Sequence, residues 1–409
     1  MIRTGTICAS YLYKYFTTED NSVNDNDEDE YIKFKKKKFK IKCLSDVFAD
    51  CGGILSKISQ IINMDYDDYE STVFSECKPY NPEKTLEFIK KQLSNEQYKD
   101  KIFDFDFNAY KSGSIGQVHK AKNINGDDIV MKVQYSGLYE QFKIDINIFN
   151  NVSRFLFDKL EMKDLLTGVE EKLYQELDYE LEVKNHNLIY DIWKDNEYIK
   201  ISDVVNDLCS EKIITLKCID GEILSSFVNN STQEEKNFIA TKIFEFVFTT
   251  LFKNKLFYSD IHYGNFLVKD KNILYVMDFG CISEIDDELL HNLKLLYKSL
   301  YDGDDDLFYA IAEDLNILTD KITSDEDIKF LLDKFKIILQ PLLYKGIFNF
   351  NDDEWTKEFC KYNSKTEDWG LLSDLVLFAK IPFGLFPIFV KMKININFSE
   401  ILLKIIEEN

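Results

Sequence analysis

The chain has 409 residues, 45% hydrophobic and 14% aromatic, enough for a sizeable core and for two or three domains or one large two-lobed one. Its formal net charge of -22 argues against nucleic acid as a main partner. The eight cysteines contain no Cys-x-x-Cys and the four histidines show no metal-ligand spacing, so the expectation is reduced thiols in an intracellular, reducing compartment.

Residues 1–43 are expected to be a charged, flexible segment. Met1 to Phe16 carries Arg3 and Lys14 without acids, but lacks the Arg- and Ser-rich pattern of a transit peptide, so mitochondrial targeting is only weakly supported. An acidic block (Asp25, Asp27, Glu28, Asp29, Glu30) then meets a basic one (Lys33, Lys35 to Lys38, Lys40) and suits a solvated linker. Residues 44–64 show helical periodicity through Leu44, Val47, Phe48, Ile54, Leu55, Ile58, Ile61 and Ile62, and open a helical extension over 44–100. Lys57 and Gln60 project from this helix.

From about residue 103 the pattern turns to strands. Ile129 to Val133 is a run of the kind buried on both faces, with Lys132 inside it. Residues 138–190 return to helical periodicity, and Ile213 to Leu216 is another short strand. Beyond it the chain is mostly helical. One helix opens at Ser231, with Glu234 as its capping-box partner, and runs to about Phe252. Another opens at about Asp286 and carries Leu289, Leu290, Leu293, Leu296, Tyr297 and Leu300 on one face. Ile381 to Val390, broken by Pro382 and Pro387, falls short of the roughly 18 apolar residues of a membrane span.

The residues able to carry chemistry concentrate between Asp260 and Gly280. Phe266 to Val268 and Ile273 to Met277 read as a hairpin around Lys269 to Asn272. A two-residue loop at Lys271-Asn272 would set Asn265 opposite Asp278. An amide oxygen and a carboxylate so placed can share Mg²⁺, which prefers oxygen ligands. Asp260 is then available as a base or substrate-positioning group. Lys132 is costly to bury unpaired and is read either as snorkelling to solvent or as a phosphate-contacting lysine. The turn Ser112-Gly113-Ser114-Ile115-Gly116 just upstream favours the second, because glycines let backbone N–H groups approach phosphate oxygens. Glu176, Asp178 and Glu182 come next, with Asp178 and Glu182 on one face if the segment is helical. His119 and His262 are read as structural, their rings bonded to nearby backbone.

Glycine loop, strand lysine, helix glutamate, Asp-x-x-x-x-Asn and Asp-Phe-Gly occur in the order kinases use. More narrowly the chain resembles the UbiB-type (AarF-domain, ADCK) atypical kinase family. Ser114 to Ala121 is similar to its Ser-Ile-Gly-Gln-Val-His signature, Met131 to Gly137 to its lysine strand, Glu176-Leu177-Asp178 with Glu182 to its Glu-x-Asp helix, and Asp260 to Asn265 to its Asp-Pro-His-Pro-Gly-Asn loop. The resemblance implies an α+β, two-lobed protein-kinase-like fold with an added N-terminal helical extension, its N-lobe at 101–218 and C-lobe at 219–409. It implies ATP and Mg²⁺ as cofactors. Lys132 would contact the phosphates and pair with Glu182, Asp260 would be the catalytic aspartate, and Asn265 and Asp278 the metal ligands. Leu216 to Ile219, including Cys218, would hold adenine by backbone hydrogen bonds. Lys57 and Gln60 match the family's Lys-x-Gly-Gln motif, with Glu176 and Asp178 near it.

Three positions depart from the family pattern: Ser59 stands for a glycine, Lys111-Ser112-Gly113 replaces an alanine-rich turn, and Ile261 and Tyr263 replace both prolines of the catalytic loop, which should then be less rigid. No Ala-Pro-Glu occurs after Asp278-Phe279-Gly280. The function this implies is an ATP-dependent atypical kinase or ATPase whose acceptor is small or lipid-derived. A nucleotide-binding pseudokinase scaffold and a small-molecule phosphotransferase remain as alternatives. Expected partners are a nucleotide and a lipid or quinone-like molecule at a membrane surface, with a homodimer left open.

Overall fold

The structure, a computed structural model, describes residues 82–93, 101–113, 115–140, 143–144, 146–147, 177–315, 325–363 and 373–407. The expected 44–64 helix with Lys57 and Gln60, and also Ser114 and Glu176, lie outside the described residues. The chain divides into two compact units. The first ends at Val183 and also takes Val204–Cys218; the second takes Lys184–Asp203 and Ile219 onward.

In chain order the elements begin with α1 (Pro82–Gln92), β1 (Ile102–Phe105), β2 (Lys111–Ser112), β3 (Gly116–Asn123), β4 (Asp128–Gln134) and α2 (Tyr179–Trp193). After these come β5 (Ile199–Ile201), β6 (Ile213–Lys217), β7 (Glu222–Ile223), α3 (Leu224–Asn230), α4 (Gln233–Phe252) and β8 (Leu256–Tyr258). Next are β9 (Phe266–Lys269), β10 (Ile273–Val276), β11 (Ile282–Glu284), α5 (Asp287–Asp302), α6 (Asp305–Asp314) and α7 (Asp325–Ile338). Last are α8 (Gln340–Leu343), β12 (Phe348–Asn349), α9 (Asp353–Asn363), α10 (Ser373–Met392), β13 (Asn395–Ile396) and α11 (Phe398–Glu407).

The first unit is built on an antiparallel sheet of order β1-β3-β4-β6, with β2 added beside β3. Strand β4 is not buried on both faces. Ile129, Met131 and Val133 are buried and join a core with Ile89, Leu93, Ala121 and Ile213, whereas Val130 and Lys132 are only half-buried. The alternation arises from the pleat: α1 and the residue after it lend Ile89 and Leu93 to one face, and the register sets Val118 and Leu216 beside Lys132 and Val130 on the other.

The second unit surrounds α4, buried on almost every side through Ile239, Ile243, Phe244, Phe246, Val247, Phe248 and Leu251. A helix apolar all round belongs at the centre of a core. Its capping box is Thr232 with Glu235, one residue later than expected, because Ser231 ends α3 and donates its hydroxyl to Phe227 O at 2.6 Å. Asp286 caps α5, accepting from Leu289 N at 2.8 Å, and Gly303 ends it with φ 74°. No helix among the described residues is long and apolar enough to cross a membrane.

The β9–β10 hairpin differs from the expected one by a residue. Lys269 pairs with Ile273, so the loop is Asp270-Lys271-Asn272. Asp270 and Lys271 take left-handed φ values of 50° and 64°, and Lys271 Nζ is held 2.9 Å from Glu235 Oε1 at the start of α4. The extra loop residue moves the register: Met277 N donates to Asn265 O, and Asp278 lies one position past the ladder rather than opposite Asn265.

Candidate active site

In the first unit Lys132 Nζ donates to both oxygens of Glu182, at 2.7 and 2.9 Å. The Lys132 side chain is 29% exposed and that of Glu182 only 8%. The alternation of β4 turns Lys132 away from the apolar core, and α2 brings Glu182 to it. The ammonium also lies 5.0 Å from the Tyr179 ring centroid. Half-buried Val118, Val130 and Leu216 share this face, an apolar strip beside a paired cation. The Cys218 N–H donates to Asp128 O at 2.8 Å, so an adenine held at Leu216 to Ile219 would be read by other backbone groups than this one.

The glycine turn is tightly closed. Gly113 N donates to Gly116 O at 2.8 Å, the Tyr135 hydroxyl donates to Gly113 O at 3.0 Å, and Ser112 pairs with Gln117. A Cβ on Gly116 would stand 2.5 Å from Val133 O, so strand packing alone demands glycine there. Asp178 does not share a helix face with Glu182. It precedes α2 and caps it, Oδ1 accepting from Leu181 N at 2.9 Å.

Two residues that sequence reasoning missed come after Glu182 on α2. Asn185 donates to Phe279 O at 3.1 Å, and the His186 ring meets Phe279 edge-on at 4.9 Å while Nε2 donates to Ser202 O at 2.7 Å. Their spacing of three and four residues from Glu182 was the available signal. Both lie in the second unit, where the Asp-Phe-Gly turn is also held by Asp278 Oδ1 accepting from Gly280 N at 3.0 Å.

The second unit gathers the remaining predicted residues. Asn265 is buried, and its amide nitrogen donates to Asp260 O at 3.0 Å and Asp260 Oδ2 at 2.7 Å. Both amide hydrogens being used on one residue, the Asn265 oxygen is left to face elsewhere. His262 Nδ1 accepts from Gly264 N at 3.0 Å, which makes Nε2 the protonated nitrogen, 3.3 Å from Asp260 Oδ2. The Tyr258 hydroxyl is fully buried beside the Asn265 amide. Burial, then the charges of Asp260 and Asp278, push its pKa well above the ordinary phenol value. An all-oxygen donor set suits a hard, hydrated cation. Among the described residues no group of three or more His, Cys, Asp or Glu forms a metal cluster, so such a cation would need oxygens from a ligand as well.

A lysine–glutamate pair on an antiparallel sheet, with an Asp-x-x-x-x-Asn loop leading through a hairpin into Asp-Phe-Gly, defines a kinase-like protein. The ABC1 atypical kinase-like domain matches residues 72–312, and the chain belongs to that family. It is 28% identical over 319 residues to "Probable serine/threonine-protein kinase abkB" of Dictyostelium discoideum, covering 72% of this chain and 47% of that protein. It is 26% identical over 274 residues to "Probable protein kinase UbiB" of Pseudomonas putida (strain ATCC 700007 / DSM 6899 / JCM 31910 / BCRC 17059 / LMG 24140 / F1), covering 63% of this chain and 50% of that one. The chain thus spans about half the length of these curated relatives. The fold is shared with Rv3197 of Mycobacterium tuberculosis, solved with erythromycin, at a TM-score of 0.67 and 18% identity, over 91% of this chain and 97% of that one.

Proposed function

We propose that this chain binds ATP with Mg²⁺ and moves its terminal phosphate to a small or lipid-derived acceptor, or to water. The observation that carries the reading is the bidentate Lys132–Glu182 pair on the half-buried face of the sheet. A lysine so held cannot swing away, and it offers a fixed positive charge to α- and β-phosphate oxygens. Val118, Val130 and Leu216 supply apolar surface for the base. Asn265 and Asp278 would hold the cation, which when bound neutralises phosphate oxygens. Asp260, oriented by Asn265 and His262, would accept the acceptor's proton.

The acceptor class rests on the short stretch of chain between Asp-Phe-Gly and α5. Strand β11 is only 3 residues long, pairs with β8, and leads at once to the Asp286 cap of α5. No Ala-Pro-Glu and no long activation segment lies between, so the surface on which ordinary kinases seat a peptide is absent from this stretch. Phosphate release measured with and without lipid vesicles, and with and without a phenolic compound, tests this. A marked rise with either is expected. A rise only with an added polypeptide acceptor contradicts the acceptor class, and no release at all contradicts the enzyme.

A further inference from the structure

The catalytic loop is anchored on the side away from its chemistry. His262 is extended, with φ -149° and ψ 163°. In extended backbone successive side chains point to opposite sides. Asp260 and His262 share one side, where their carboxylate and imidazole meet at 3.3 Å. Ile261 and Tyr263 take the other, and both go to α10. A Cβ on Gly384 would stand 2.7 Å from Ile261 Cβ and 3.0 Å from Ile261 O, so α10 reaches the loop backbone only because residue 384 has no side chain. One turn further along, the Tyr263 hydroxyl donates to Ile388 O at 3.2 Å and Pro387 O at 3.4 Å. Lys391 Nζ lies 4.9 Å from the Tyr263 ring centroid.

These contacts fall on the two loop positions that lack proline. Without that ring the backbone of Ile261 and Tyr263 has more conformations to lose, and something outside the loop must hold it. We infer that Tyr263 and Gly384 are positioning residues, through which α10 keeps Asp260 and His262 in their working geometry. The inference rests on the phosphoryl-transfer reading for its effect on rate, but not for its effect on loop order. Neither residue touches the reacting atoms. Ile261 is buried at 7% exposure, so it contributes as the surface against which Gly384 seats.

The test uses the whole chain with ATP and Mg²⁺. Phosphate release gives kcat and the ATP KM, and hydrogen exchange reports the amides of residues 260–265. Tyr263→Phe keeps the ring and removes the tether. It should lower kcat roughly tenfold, short of the ~10²-fold that a 1 Å misplacement costs, with KM unchanged. Loop exchange should quicken. Gly384→Ala, wedging the same contact from the other side, should give the same split. Unchanged kcat and unchanged loop exchange in Tyr263→Phe overturn the inference, as does a rise in KM with kcat intact. If Gly384→Ala does not fold, Tyr263→Phe decides alone. If the wild-type chain releases no phosphate, the enzymatic reading fails, and the exchange of the loop in the two variants decides this inference without it.

Discussion

Lys132 and Glu182 are unequally buried, and the inequality sets what each substitution does. The acid is nearly enclosed and the lysine is not. Glu182→Gln leaves a half-buried ammonium facing a neutral amide, so its cost falls on both stability and phosphate binding. We expect about 1–3 kcal/mol lost from unfolding stability together with weaker ATP binding, read by denaturant titration and by nucleotide titration. Unchanged values in both would show that the pair is incidental. Lys132 was legible in the sequence because an ammonium among Ile, Val and Met has few tolerable explanations. Tyr258 was not, since Leu256-Phe257-Tyr258 has the pattern of ordinary core. The place of its hydroxyl beside the Asn265 amide follows only when β8 pairs with β11. Asp178 was misplaced on a helix face because its identity marks a cap only once the start of α2 is known.

Among elements, α1 meets the sheet through the apolar contact of Ile89 and through a polar one, Gln117 to Thr85, that a neutral imidazole orients. His119 Nδ1 faces Asp106 O at 3.0 Å and must carry the proton, so Nε2 accepts from Gln117 at 2.8 Å, whose amide also donates to Thr85 of α1 at 2.8 Å. Burial lowers the His119 pKa from the ordinary 6.5, the Asp106 carbonyl offsetting part of the effect. The unfolded chain therefore takes up this proton first as the pH falls. Stability from His119 is complete above 6.5 and declines as the pH drops below that value towards the folded pKa. Melting temperature against pH should show a downward slope below 6.5 that is shallower in His119→Gln. Equal slopes would place the acid sensitivity elsewhere. The elements themselves were readable from periodicity and caps, and their ends were not. The α4 cap moved by one residue because two adjacent hydroxyls, Ser231 and Thr232, compete for it, and α3 takes the first. The hairpin register moved because sequence does not declare that Asp270 and Lys271 will both be left-handed.

For the whole molecule, the order of five short motifs specified a kinase-like fold before any one of them was persuasive, and the family match over residues 72–312 agrees with that order. What the order could not supply was the support behind each motif: the strip beside Lys132, the Asn185 and His186 contacts to Phe279, and the seating of the catalytic loop on α10. These depend on residues far apart in the chain, with no local pattern to mark them. The central claim, that the site binds ATP through a cation held by Asn265 and Asp278, is most directly tested by thermal stabilisation with ATP and Mg²⁺ in the wild type and in Asp278→Asn. Ligand binding at 100 times its dissociation constant adds about 2.7 kcal/mol, a readily measured shift. The account predicts a Mg²⁺-dependent rise in melting temperature for the wild type and none for Asp278→Asn. An equal rise in both, or no rise in either, would contradict it.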